Sequence, residues 1–339
     1  MVLLLSDADV GHAISMGDAV GVVEQALRQY ASGTDVVLPR ISVDVPGNGG
    51  AFRVMSAILP NAGFFGLKSL TGYPGRRLAG ETYFAILLFS CETGALRAIM
   101  AANKLTGIRT GAATGVAAKH LARANSRVVG IFGAGVQGWY QVAALKEVRP
   151  VEEVRIFDVD RAKADVFAGR VSAQFGVRAS VVSEAREAVE GCDMVVTMTS
   201  AKTPVFDGAW LQEGTHLSGA GSNSPAKREL DAVTFRRSKI VVDFRDQVLD
   251  EAGDLREAIR SGVIGPEAIH AELAEVIVGT KAGRTDDREI TLFKSVGMAL
   301  EDIATAGFVY QRALASGLGT KIALEEPALV SMGAGAAAL

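Results

Sequence analysis

The chain is expected to adopt an α/β fold in which a doubly wound parallel sheet is joined to a smaller domain built on an antiparallel sheet. Three observations predict this. The apolar run VVGIFGAGVQG at residues 128–138 breaks into Gly133, Gly135 and Gly138 and resumes as the helix-like WYQVAALKEV. From residue 127 onward, strand-like segments alternate with helical ones, the pattern of a parallel sheet wrapped by helices. Between residues 36 and 101 the apolar period is two and the connections are short turns, which pairs strands antiparallel.

Taken in order, Ser6 and Asp9 form a helix cap, and Ser15-x-x-Asp18 a second one that opens an amphipathic helix through Tyr30, ended by Gly33. From Val36 the period becomes two: Ile41, Val43 and Val45 share one face, with Arg40, Ser42 and Asp44 on the other, and residues 52–58 alternate similarly. Strands at 64–71 and 82–90 flank the loop GYPGRRLAG, and Glu92-Thr93-Gly94 turns the chain into 95–101. Residues 102–123 read as one long helix, rich in alanine and other small residues, which suits tight packing and a passage between domains. Strands at 127–132, 153–157, 178–182, 193–199, 215–220 and 239–244 then predict a sheet of order 3-2-1-4-5-6. Residues 288–294 are a further extended piece and 296–317 a long helix. If that helix returns to the first domain, the first domain is discontinuous. The tail at 332–339 is small and featureless and is expected to be mobile.

Composition narrows the function classes. A chain of 339 residues accommodates two ordinary domains, and a net charge of −3 supplies no basic field for nucleic acid or anionic lipid. Cys91 and Cys192 are far apart and lack metal-ligand spacing, so they read as reduced thiols of a cytoplasmic protein. Residues 1–5 are apolar but have no positive flank, so they are not read as a signal peptide. No window approaches the roughly 18 uninterrupted apolar residues of a membrane span. Neither nucleic acid nor membrane is expected as a partner.

The glycine turn carries the first chemistry. Gly133 permits the tight turn, Gly135 lets a pyrophosphate approach the backbone, and Gly138 lets helix and strand pack closely. Asp158 ends the next strand twenty residues past Gly138, where a ribose hydroxyl would sit. The stretch reads as a Rossmann-type nicotinamide dinucleotide site. Asp158 predicts NAD over NADP, because a carboxylate repels a 2′-phosphate, although Asp160 and Arg161 adjoin it. Arg109 sits among small and apolar residues, where a guanidinium needs an anionic partner, and a structural ion pair explains it as well as a ligand does. Lys68, on a strand between apolar residues, reads first as an edge lysine reaching water, and Arg40 as a surface arginine. His12, His120, His216 and His270 are scattered and make no metal set; His216 fits a satisfied local histidine better than a catalytic base. Asp243 is expected to cap a helix. The segment GSNSPAK at 221–227 follows a strand end, where open α/β sheets bind ligands.

Five blocks in order, LTGIRTGAATGVAAKHLA, GAGVQG, GSNSPAKRELD, VVDFRDQVLDEAGDL and REITLFKSVGMALEDIATA, resemble the ornithine cyclodeaminase/mu-crystallin family over nearly the whole chain. The resemblance implies a Rossmann domain at 121–299 for NAD and a discontinuous α+β domain, 1–120 with 300–339, for substrate and homodimer contacts. It implies that Arg40 and Arg109 hold a substrate α-carboxylate, with Lys68 beside them as a further positive group or proton donor. It further places Thr82, Thr110, Val136, Gln137 and Thr199 around the cofactor, with Lys227, Ser295 and Val296 closing the nicotinamide end. Two arginines and a lysine around one pocket would repel each other unless an anion bound there.

This chain departs from the family pattern at one position. Cyclodeaminases carry an aspartate where Asn223 stands, and an amide can orient a group but cannot act as a general base or balance an ammonium. The expected activity is therefore hydride transfer between NAD(H) and the α-carbon of a small L-amino acid or its imine, with Lys68 or a water it orients keeping the imine protonated. Ornithine cyclodeamination with recycled NAD, and mu-crystallin-like binding of cofactor and ligand, are the alternatives that fold alone does not separate.

Overall fold

The computed structural model describes residues 1–47, 49–72 and 83–324. Thr82, most of the GYPGRRLAG loop and the tail at 332–339 lie outside the described residues. The chain begins with β1 (Val2–Leu5), α1 (Asp7–Ala13) and α2 (Met16–Tyr30), and continues through β2 (Val36–Val37), β3 (Ile41–Val45), β4 (Gly50–Leu59), β5 (Phe64–Gly72), β6 (Phe84–Ser90) and β7 (Leu96–Ala101) into α3 (Asn103–Leu121). Both expected helix starts are full capping boxes. Ser6 and Ser15 accept from the backbones of Asp9 and Asp18, whose carboxylates return the bond to the serine amides.

The first sheet, which takes in the late strand β16 (Thr320–Ile322), runs β16-β1-β7-β6-β5-β4-β2, with β3 also on β4. Its β4 to β7 pairs are antiparallel as expected, whereas β1 joins β7 in parallel. The run at 1–5 is thus a strand that the alternation rule could not see, because three of its four residues are buried. Pleat alternation gives the sheet a covered face and an open one. Met55, Ala57, Leu59, Lys68, Ile86 and Met100 point into the core beneath helix α10 (Ala299–Ser316), whereas Phe52, Ile58 and the stacked Phe65 and Phe89 lie on the other face.

The second half comprises β8 (Val128–Phe132), α4 (Val136–Val148), β9 (Glu153–Phe157), α5 (Arg161–Phe175), β10 (Arg178–Val181), β11 (Met194–Thr197), β12 (His216–Gly219), α6 (Ala232–Arg237), β13 (Lys239–Val242), α7 (Arg245–Glu251), α8 (Gly253–Arg260), β14 (Ile269–Glu272), α9 (Leu273–Ile277), β15 (Thr291–Lys294), α10 (Ala299–Ser316) and β16 (Thr320–Ile322). Among the described residues its sheet is wholly parallel, in the order β10-β9-β8-β11-β12-β15-β13-β14. The expected 3-2-1-4-5-6 order needs two corrections. The extended piece near 288–294 inserts as β15 between the fifth and sixth strands, and β14 adds an outer strand. All four residues of β15 are buried, which suits a central position, whereas the IHAE of β14 alternates apolar and polar residues over only four positions, the shortest run that marks a strand.

The insertion matters for function. It delivers residues 295–298 to the C-terminal edge of the parallel sheet and leads directly into α10, which packs on β4, β5 and β6 of the first sheet. Helix α3 makes the other passage. Most of its residues are buried, with a glycine face at Gly107 and Gly111 lying against Tyr140 of α4.

Candidate active site

At the end of β8 the chain turns through Gly133, whose φ of +103° and whose nearness to the Met198 carbonyl exclude a side chain: a Cβ there would lie 2.5 Å from that oxygen. Gly138 packs against the same turn, where a Cβ would stand 2.5 Å from the Gly133 carbonyl. Helix α4 opens at Gly135 with no side-chain cap, so its first amides face outward as an anion site next to Val136 and Gln137. The buried Gln137 Oε1 has no protein partner. Asp158 closes the turn: its Oδ2 accepts from Ala134 N at 2.7 Å and its Oδ1 from Asp160 N at 3.0 Å. These residues fit a nicotinamide dinucleotide, the pyrophosphate at the α4 terminus and a ribose at Asp158. Arg161, adjacent in sequence, pairs instead with Asp165 at 3.3 Å.

Along the same edge a buried carboxylate that sequence reasoning missed organises two loops. Glu229 Oε1 accepts from the Thr199 amide at 2.5 Å and its hydroxyl at 2.8 Å, and Oε2 accepts from Thr197 Oγ1, Gly221 N and Ser222 N. It therefore ties the end of β11 to the GSNSPAK segment. Within that segment Lys227 Nζ donates to Asn223 Oδ1 at 2.8 Å.

The three cations anticipated at the substrate pocket do converge, but each meets a carboxylate of this chain. Lys68 Nζ donates to Asp302 Oδ1 at 2.7 Å, and Arg109 Nη1 to Glu301 Oε2 at 2.5 Å, with Nε 3.0 Å from Asp302. Arg40 Nη1 donates to Glu251 Oε2 at 2.6 Å and Nη2 to the Val296 carbonyl at 2.7 Å. Gln247 bridges Glu251 and the Gly297 carbonyl. Asp243 does not cap α7, whose N-cap position is Phe244; its Oδ2 instead accepts from Ser295 Oγ and from the amides of Val296 and Gly297. Gly297, at φ +81°, leaves room for the Arg109 guanidinium, which a Cβ would meet at 2.6 Å. The edge-lysine reading of Lys68 fails because β5 is a central strand and the side chain is fully buried. The surface reading of Arg40 fails likewise, since its side chain is enclosed.

Burial sets the protonation of this cluster. It pushes Lys68 down to about 7, helped by the neighbouring Arg109 charge and opposed by Asp302. It pushes Glu301 up to about 7 despite Arg109. For Arg109 the burial penalty is outweighed by Asp302 and Glu301, which hold it above its ordinary value. Glu301 Oε1 and Asp302 Oδ2 are buried without hydrogen-bond partners.

The cluster adjoins the cofactor edge, because Ser295 N donates to the Gly219 carbonyl at the end of β12. Thr110, next to Arg109, donates to the Thr106 carbonyl inside α3. His216 lies at the opposite end, as the first residue of β12, bonded to Thr291 and Ser218 and pushed down to about 3 by burial with Arg284 and Arg149 nearby. It is the satisfied local histidine. Glu251, Glu301 and Asp302 were missed; the last two open α10, where acids suit the helix dipole and mark no site by themselves. Among the described residues no group of three or more His, Cys, Asp or Glu side chains could hold a metal, and no helix is long and apolar enough to cross a membrane.

Residues 1–317 match the family model for the ornithine cyclodeaminase/mu-crystallin family. Alanine dehydrogenase of Archaeoglobus fulgidus is 40% identical over 94% of this chain and 98% of its own. A structure of Thermococcus litoralis Delta(1)-pyrroline-2-carboxylate reductase with NADH and L-proline superposes with a TM-score of 0.92 at 41% identity, covering 95% of this chain and all of that one. An archaeal alanine dehydrogenase dimer with bound NAD gives 0.90 at 40% identity, over 96% of this chain and 99% of that chain.

Proposed function

Because the chain belongs to the ornithine cyclodeaminase/mu-crystallin family and is an NAD(H)-dependent oxidoreductase of small amino acids or their imines, we propose that the cluster of Arg40, Lys68 and Arg109 is where the substrate reacts. The observation that carries this is convergence. Arg40 from the β2–β3 connection and Arg109 from α3 meet the 295–297 turn at the cofactor edge of the parallel sheet, and Lys68 of β5 joins them through Asp302, which it shares with Arg109. Bound NADH supplies the hydride. Arg109 and Arg40 hold the α-carboxylate, and Lys68 holds a proton at the imine nitrogen, so that the α-carbon accepts the hydride more readily. Asp302 fixes Lys68 in place, and Glu301 orients Arg109. Thr110, Thr199, Lys227 and Ser295 line the cofactor, and Val296 presents its carbonyl to Arg40 beside the substrate. We assign 1–120 with 300–339 to substrate and 121–299 to cofactor.

The amide at Asn223 favours net oxidoreduction over cyclodeamination, since its oxygen is occupied by Lys227 and it cannot serve as a base. The test is a panel of L-amino acids with NAD, and of their imines with NADH, read for nucleotide absorbance and ammonium together. Stoichiometric NADH turnover with alanine, proline or a close relative, or with the matching imine, is expected. Ammonium released from ornithine with no change in NADH would overturn the reading in favour of a cyclodeaminase.

The protonation of the cluster makes a pH dependence. Below about 7 Glu301 is neutral and Lys68 charged; above it Glu301 gains a negative charge that repels a carboxylate and Lys68 loses the positive one that attracts it, so both changes weaken binding. The Michaelis constant for the amino or imino acid is expected to rise about tenfold or more between pH 6 and 8.5. Glu301→Gln should remove part of that slope. A wild-type constant flat with pH would sink this account.

We place the enzyme in the cytoplasm as a homodimer. The free Cys91 and Cys192 suit a reducing compartment, and recovery outside the cytosol on fractionation would contradict this. The open face of the first sheet exposes Ile41 at 59% and Val43 at 55% beside Phe52 and Ile58, a patch suited to a second copy. A monomer mass by light scattering would overturn the dimer.

A further inference from the structure

We propose that Lys163 sets how far this enzyme tolerates the 2′-phosphorylated form of its dinucleotide. The inference rests on the cofactor reading above and deepens it. Lys163 lies in the first turn of α5, where its backbone amide donates to Asp160 Oδ1 at 3.1 Å, and its Nζ stands 3.5 Å from Asp158 Oδ2. The ammonium also overhangs the glycine turn, 3.9 Å from where a Cβ on Gly135 would be. It lines a groove of about 630 Å³ together with Ala134, Gly135 and Trp139. The two partners differ in freedom: the Asp158 side chain is 10% exposed and is held by two backbone amides, whereas Lys163 is 50% exposed and makes one long contact.

Asp158 therefore stays in place without Lys163, ready to accept from a ribose hydroxyl. Lys163 is a tethered counter-charge free to swing toward an anion beside that ribose. A 2′-phosphate would carry a charge of about −1.5 to −2 next to the carboxylate, and Lys163 is the cation that already contacts that carboxylate and can offset the repulsion, whereas Arg170, which lines the same groove, lies over the Trp139 ring. Arg161, the other basic residue at the strand tip, is turned to Asp165. The expected behaviour is a preference for NAD that is graded rather than absolute, with Lys163 as a specificity-determining residue.

Titration of protein fluorescence with NADH and NADPH, without substrate, tests this in wild type, Lys163→Ala and Lys163→Arg. The ratio of the NADPH to the NADH dissociation constant should rise about tenfold in Lys163→Ala, through weaker NADPH binding, and stay within about twofold of wild type in Lys163→Arg. An unchanged ratio in Lys163→Ala overturns the proposal, including the case in which both constants rise together because the lysine serves only the pyrophosphate. Failure of the wild type to bind NADH would instead overturn the cofactor reading itself. Half-exposed and on a helix surface, Lys163 can be replaced without disturbing the core, which a thermal melt checks.

Discussion

Arg109→Ala is expected to raise the Michaelis constant for the amino or imino acid by about 30-fold to several thousand-fold, the range given by removing one member of a buried charge pair, while NADH affinity changes by less than about threefold. The asymmetry follows from position. Arg109 sits on α3, sandwiched between Glu301 and Asp302 and facing the 295–297 turn, away from the glycine turn that would hold the pyrophosphate. The same variant leaves two buried carboxylates without their guanidinium. Breaking such a pair costs about 3–5 kcal/mol, and here the lower end is expected, because Glu301 already titrates near 7 and can take up a proton, and Asp302 keeps Lys68. Stability and binding are therefore separable. Arg109→Ala combined with Glu301→Gln should recover much of the melting temperature and none of the substrate affinity. A Michaelis constant unchanged in the single variant would move the carboxylate clamp elsewhere.

The parts of this molecule written in short-range physics were legible from the sequence. The glycine turn, both capping boxes, the period-two strands and the small-residue helix each depend on residues within a few positions of one another, and each lies where the pattern put it. Arg40, Lys68 and Arg109 were located by resemblance, since nothing local distinguishes a buried lysine on β5 from one at a sheet edge. Their partners were not legible at all. Glu251 lies 211 residues from Arg40, Glu301 192 from Arg109, and Asp302 234 from Lys68. An acid in the first turn of a helix is already explained by the helix dipole, so only the packing of α10 on the first sheet sets Glu301 and Asp302 apart. For the same reason the three cations do not by themselves require a bound anion. The chain supplies carboxylates of its own, and a substrate must compete with them or find Glu301 protonated.

Glu229→Gln is expected to lower stability by about 3 kcal/mol or more, since hydrogen bonds to a charged acceptor contribute about 1.5–3 kcal/mol each. The carboxylate takes five donors: the amides of Thr199, Gly221 and Ser222 and the hydroxyls of Thr197 and Thr199. An amide of the same shape keeps one acceptor oxygen and turns two N–H groups toward donors, so whichever oxygen it replaces, two or three bonds become donor-to-donor contacts. The hydroxyls can rotate to accept, but the backbone amides cannot. The melting temperature should fall by at least about 4 °C for a loss of this size in a chain of this length. The functional consequence is more specific than the loss of stability. Thr199 and the segment bearing Asn223 and Lys227 come from different strand ends, and Glu229 is what holds them at one edge, so loosening it should weaken NADH binding even well below the melting temperature. Fluorescence titration at 15 °C separates the two effects. Full NADH affinity in a variant that melts early would show that Glu229 supports the fold alone, whereas about a tenfold loss under conditions where the chain is fully folded would show that the cofactor edge is built on this one buried carboxylate.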